Sequence, residues 1–158
     1  MKSLDDELVP DNLKHCLNVL KNDGDSINLN NPLSHKEISI LSRQTGVEFA
    51  SVTIGGENIL IRGNETSTSI SKEIFDEMKK TRGILDCHSH PYIGDVRPSN
   101  ADLKVAKQID WQDKFTIISV DGKVSVYTEN GVISVTTVSN IISDNEKEIL
   151  NEVFKKVK

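Results

Sequence analysis

The sequence predicts a chain that mixes helices and strands: either α+β, or an α/β fold in which a mixed, largely antiparallel β-sheet is sandwiched by helices. Three observations predict it. Segments with helical and with strand periodicity follow one another along the 158 residues. The pairs Gly55-Gly56, Asp121-Gly122 and Asn130-Gly131 sit between apolar runs, and such pairs signal hairpins, which make neighbouring strands antiparallel. The length is close to the commonest size of a domain with one core.

The elements follow in order. "PDNLKHCLNVLKN" places Leu13, Cys16, Leu17 and Leu20 at helical spacing, with Asp11 or Asn12 as its cap and Gly24 of "NDGD" as its end. "SINLNNP" reads as a polar connection. "SHKEISILSRQTG" is a second helix, opened by a capping box of Ser34 and Glu37 and stopped by Gly46. "VEFASVTIGGENILIRG" reads as two strands joined at Gly55-Gly56. "NETSTSISKEIFDEMKKTRG" is a polar turn and then a helix, with Ile70, Ile74, Phe75 and Met78 on one side and Gly83 as its stop. "ILDCHSH" is a short strand, "PYIGDVRP" a loop and "SNADLKVAKQIDWQ" a helix. "KFTIISVDGKVSVYTENGVISVTTV" is rich in β-formers. "DNEKEILNEVFKKVK" closes the chain as an amphipathic helix with Ile149, Val153, Phe154 and Val157 in its apolar stripe. Residues 1–32 form a helical extension before a compact domain over 33–158.

Composition excludes several function classes. The net charge of −5, with no long basic block, disfavours nucleic acid, whose phosphates need a basic face. No apolar run approaches the roughly 20 residues needed to span a bilayer. The acidic N-terminus, broken by Pro10, does not read as a signal peptide. Two cysteines, Cys16 and Cys87, make no disulfide framework, so a reduced, cytoplasmic setting is expected. The Asn-, Lys- and Ile-rich tone suggests a bacterial source of low GC content.

The chemistry concentrates in "DCHSHPYIGDVRPSNAD". On a strand, side chains alternate faces, so His88 and His90 point one way while Cys87 and Ser89 point the other. Two imidazoles at a strand end form a platform for zinc. Pro91 ends the strand, and after a loop Ser99 opens a helix with Asp102 in its first turn. Taken on its own, Ser99 to Asp102 reads first as a helix start, with Ser99 as N-cap and Asp102 favoured by the dipole, and that role is compatible with facing a metal. Two histidines and a carboxylate leave a fourth position for water, the pattern of a catalytic site. His15 and His35 lie in helical stretches without partners and read as ordinary surface or boundary residues.

"HSHP" followed by "PSNAD" resembles the JAMM/MPN+ (JAB domain) zinc metalloproteases, whose signature is an upstream Glu, then H-x-H, then S-x-x-D. The resemblance covers roughly residues 33 to 135 in the order of elements, and is specific only in the motif. It implies an α/β sandwich of MPN/JAB, cytidine-deaminase-like layout, and a peptidase or isopeptidase acting on a protein or peptide, with ubiquitin-like proteins among the possible substrates. Carried over, His88, His90 and Asp102 bind Zn²⁺ and Ser99 hydrogen-bonds the developing oxyanion. Glu48, opening the strand after the second helix, takes the place of the upstream base, with Glu57 and then Glu65 as weaker candidates. No separate cofactor-binding residue is expected. The loop from Pro91 to Ser99 is about one residue longer than is usual, which a loop absorbs readily.

Two other functions compete. Catalytically inactive MPN-like modules bind proteins as scaffolds, but commonly lack part of the ligand set that this chain retains. H-x-H also opens the sites of amidohydrolases and some phosphoesterases, but those are commonly barrels of about 250 residues with further histidines downstream. This chain has no histidine after His90.

Overall fold

A computed structural model describes residues 9–68 and 70–137. Helix α1 (Asp11–Val19) is followed by strand β1 (Ser26–Leu29) and helix α2 (His35–Thr45). The hairpin β2 (Phe49–Ile54) and β3 (Glu57–Arg62) leads to α3 (Lys72–Thr81), β4 (Ile84–His90) and α4 (Asn100–Gln108). Strands β5 (Phe115–Ser119), β6 (Lys123–Thr128) and β7 (Gly131–Thr137) complete the sheet. Its order is β1-β3-β2-β4-β5-β6-β7. Every neighbouring pair is antiparallel except β4 with β5, so the fold is α/β with a mixed, largely antiparallel sheet.

Local chemistry sets most of these elements. In α2 the Ser34 hydroxyl accepts from Glu37 N–H at 3.2 Å while Glu37 Oε1 accepts from Ser34 N–H at 2.9 Å. That is the expected capping box, and Gly46 closes the helix in a left-handed conformation at φ 70°. Gly55 and Gly56 both have positive φ, 54° and 84°, as a two-residue hairpin turn matching the strand twist requires.

The middle of the sheet carries a core on each face, whereas β7 is exposed along nearly all of its described length. On one, Leu13, Cys16 and Leu20 from the α1 region pack with Ile38 and Leu41 of α2 against Phe49, Leu60, Cys87 and Ile118. On the other, Met78 of α3 and Ala106 of α4 cover Ala50, Val52, Leu85, Ile117 and Tyr127. The N-terminal helix is thus a packing element of one of the two cores. No helix among the described residues is long and apolar enough to cross a membrane.

Four expectations need correction. "SINLNNP" is not merely a connection: Ser26–Leu29 pairs with β3 as an edge strand, and Ile27 and Leu29 pack against the core. Four residues are too few for strand periodicity to stand out. Helix α1 has no side-chain cap, since Pro10 occupies the N-cap. It also ends before Gly24, because Asp25 Oδ2 accepts from Lys21 and Asn22 N–H and turns the chain there. The β6–β7 turn is Glu129-Asn130, one residue earlier than expected, with Thr128 paired to Gly131. The amphipathic stripe of Ile149, Val153, Phe154 and Val157 lies outside the described residues.

Candidate metal centre

Strand β4 carries the two histidines, and an irregularity sets their phase. In the β2–β4 ladder Val52 faces Leu85 and Ser51 faces Cys87, which leaves Asp86 unopposed as a bulge. Leu85 therefore belongs to the core under α3 and α4, while Cys87 belongs to the opposite core. Beyond the bulge, alternation is regular. His88 and His90 emerge on the α3–α4 side, and on the other Ser89 Oγ accepts from Phe49 N–H at 2.9 Å. Burial pushes the Cys87 thiol up to about 12, so it stays protonated and takes no part in the site.

Glu48 directly precedes β2. Its N–H donates to Asn64 O at 2.8 Å, and its carbonyl accepts from Gly63 N–H at 2.7 Å, so the chain is already aligned before the strand begins. Ala50 pairs with His88, and the same antiparallel register carried two residues on sets Glu48 opposite His90. Glu48 is 4% exposed. Glu57 is exposed beside the hairpin turn, and Glu65 is exposed in the following loop. Neither joins the cluster.

Asp102 comes from α4 and serves two roles with one carboxylate. Oδ2 accepts from Ser99 N–H at 2.8 Å, and Ser99 Oγ accepts from Asp102 N–H at 3.1 Å, which closes a capping box. The same carboxylate spans both imidazoles, with Oδ1 3.2 Å from His88 Nε2 and Oδ2 3.3 Å from His90 Nε2. Capping therefore aims the aspartate at the histidines instead of competing with them. Ser99 itself is exposed, and among the described residues its hydroxyl donates to no acceptor.

Glu48, His88, His90 and Asp102 each present one donor atom, all within 4.8 Å of one another. His90 Nε2 also lies 3.8 Å from Glu48 Oε2. Nitrogen and carboxylate oxygen suit zinc. Two observations show that the group fits a cation. His88 Nε2 is buried and lies 3.2 Å from Asp102 Oδ1 without a well-formed hydrogen bond. A buried carboxylate, Glu48, and a half-buried one, Asp102, also converge on the two imidazoles, which concentrates negative charge where a cation would be favoured.

The site perturbs its own members accordingly. Burial works against the Asp102 charge, but the two imidazoles and Ser99 outweigh it and hold the carboxyl far below its usual range. Burial pushes Glu48 up, against the pull of His88, His90 and Thr68. His90 is raised: burial opposes its charge, but Asp102, Glu48 and Asp95 prevail.

Glu48, Ala50, Thr68, His88, Asp102 and Tyr127 line a small pocket of about 30 Å³. No family model, curated protein or solved structure matches this chain. The pocket itself is therefore what speaks for function, and two of its residues escape a reading of the sequence. Thr68 Oγ1 donates to Glu48 Oε1 at 3.4 Å from a loop that carries no motif. Tyr127 is 1% exposed and meets the His88 ring edge-on, with centroids 6.3 Å apart. Burial, with Asp102 and Glu48 nearby, keeps its phenol protonated and therefore a donor. Nothing in "KVSVYT" distinguishes it from an ordinary core residue. His15 and His35 stand outside the cluster.

Proposed function

We propose that this chain is a zinc-dependent metallopeptidase or isopeptidase of the JAMM type, its α/β sandwich a variant of the MPN/JAB layout. The observation that carries the proposal is Glu48. A glutamate just before β2, buried and 3.8 Å from His90, completes the set that the resemblance requires. Nothing local in the sequence forces that convergence.

His88, His90 and Asp102 would hold the cation through Nε2, Nε2 and the carboxylate. Zinc bound there supplies Lewis-acid polarisation of a carbonyl and an acidified water. Glu48 accepts a proton from the attacking water and returns it to the leaving amine. Its raised pKa brings it nearer the working pH of such a base. Ser99 has a hydroxyl proton free to meet the developing oxyanion. The pocket's apolar wall at Ala50, Ile70, Leu85 and Val105 limits water around these groups. The substrate class is a protein or peptide, with ubiquitin-like proteins as one group to test.

Metal analysis and one variant test the proposal. Purified protein reconstituted with zinc should retain it, and His88→Ala should not. Glu48→Gln should keep zinc and lose roughly 10²–10⁴-fold in hydrolysis. The assay panel is ubiquitin-like isopeptide, peptide and phosphodiester substrates, with and without chelator. Absence of zinc from the wild type, or full activity in Glu48→Gln, refutes the proposal. Zinc binding without hydrolysis of any substrate would favour an inactive MPN-like binding module instead.

A further inference from the structure

We propose that Asp95 is a positioning residue for the metal centre: it holds the His90 ring by Nδ1, from a loop anchored to the same rung of the sheet as His90. The inference rests on His90 being a metal ligand, as proposed above.

His90 is 4% exposed, with acids at both ring nitrogens. Nε2 faces Asp102 and Glu48. Nδ1 lies 3.4 Å from Asp95 Oδ2, and among the described residues no other carboxylate is within ion-pair distance of it. Nδ1 is buried and makes no hydrogen bond in this arrangement. The separation exceeds a normal hydrogen bond by a few tenths of an ångström. A neutral imidazole carries one N–H. Once Nε2 is committed to a cation, the proton must reside on Nδ1, and a buried N–H without an acceptor is costly. Asp95 is the acceptor within reach, and a small approach of its carboxylate satisfies the bond. A carboxylate behind a ligating histidine fixes ring orientation and raises ligand basicity.

The loop is built to present that carboxylate. Immediately before it, Gly94 N–H donates to Asp121 Oδ1 at 2.8 Å. Immediately after it, Val96 is buried and its carbonyl accepts from Ser125 Oγ at 2.6 Å. Asp95 therefore sits between two pinned residues, with its side chain 42% exposed on the outer side. Asp121 is held in turn by the Ser119 hydroxyl. Ser119 pairs with His90 in the parallel β4–β5 ladder. Ligand and positioning carboxylate thus refer to one rung of the sheet, so the loop and the ring keep a common frame.

Zinc alone is the probe. Competition against a chromophoric chelator should show Asp95→Ala binding zinc about 10–100-fold more weakly than wild type. Asp95→Asn keeps an acceptor oxygen and should recover part of that loss. In imidazole ¹H–¹⁵N spectra of the zinc-loaded protein, a slowly exchanging His90 Nδ1–H should appear in the wild type and in Asp95→Asn, and vanish in Asp95→Ala. A general loss of structure would not be rescued by Asn, nor would it act on one ring proton. Should Asp95→Ala fail to fold, the Asp95→Asn titration and spectrum decide. Wild-type affinity with an unchanged Nδ1–H signal in Asp95→Ala overturns the role of Asp95 and leaves the metal centre standing. A wild type that binds no zinc overturns both.

Discussion

Gly63→Ala is the most exacting test of how the pocket is walled. Gly63 follows β3, and its N–H donates to Glu48 O at 2.7 Å. A Cβ there would lie 2.2 Å from Ser67 O and 2.8 Å from both Thr68 Cα and Thr68 Oγ1. Ordinary contact begins at 3.4 Å, so Ser67 O would have to retreat by 3.4 − 2.2 = 1.2 Å. The turn resists, because Asn64 N–H donates to Ser67 O at 2.8 Å and Asn64 Oδ1 accepts from Thr66 and Ser67 N–H at 2.9 Å each. Overpacking of this kind costs about 1–3 kcal/mol. For a chain of this size that is a fall in melting temperature of roughly 2–12 °C. The retreat also carries Thr68 Oγ1 away from Glu48 Oε1, a contact already 3.4 Å long. Differential scanning calorimetry reads the first effect, and hydrolysis on the substrate found by the panel reads the second. Zinc affinity, set by β4 and α4, should stay close to wild type. A melting temperature unchanged within about one degree would refute the steric reasoning. A destabilised protein with full hydrolysis would refute the role given to Thr68.

Two further predictions concern the rest of the molecule. Leu13 is fully buried in the core on the face opposite the site, so Leu13→Ala should cost about 2–5 kcal/mol and leave zinc affinity unchanged. Wild-type melting would instead make α1 a detachable arm. The second is a pH dependence of the metal-free protein. The His90 pKa is raised on folding, by Asp102, Glu48 and Asp95 against the opposing effect of burial. Its stabilisation is therefore fully present below the unfolded value of about 6.5 and is lost as pH rises through the folded value. The stability difference between wild type and His90→Gln, from urea denaturation in chelator, should shrink across that rise. Added zinc should stabilise more as pH increases, because protons compete with the cation for the imidazoles. A difference that grows with pH in chelator would contradict the assigned sign.

Much of the fold was legible because it is local. Ser34 with Glu37 predicts the start of α2, Gly46 its end and Gly55-Gly56 a hairpin, and each needs only a few neighbouring residues to act. Strand β1 was not legible. Its four residues are a strand only because β3 offers a free edge. The early end of α1 was likewise hidden, since Asp25 turns the chain from outside the helical stretch.

The site divides along the same line. His88 and His90 share a face by the two-residue period of a strand, and Asp102 opens a helix by capping chemistry. Both can be read from the sequence, because periodicity and capping act within a few residues. Only the folded chain makes the capping aspartate reach both imidazoles, brings Glu48 within 3.8 Å of His90 and lines the pocket with Thr68 and Tyr127. It also sets Asp95 behind the ring. These contacts depend on strand order, on the register of β2 against β4 and on the bulge at Asp86. Such features arise from packing two faces of one sheet at once, and no short stretch of sequence carries them.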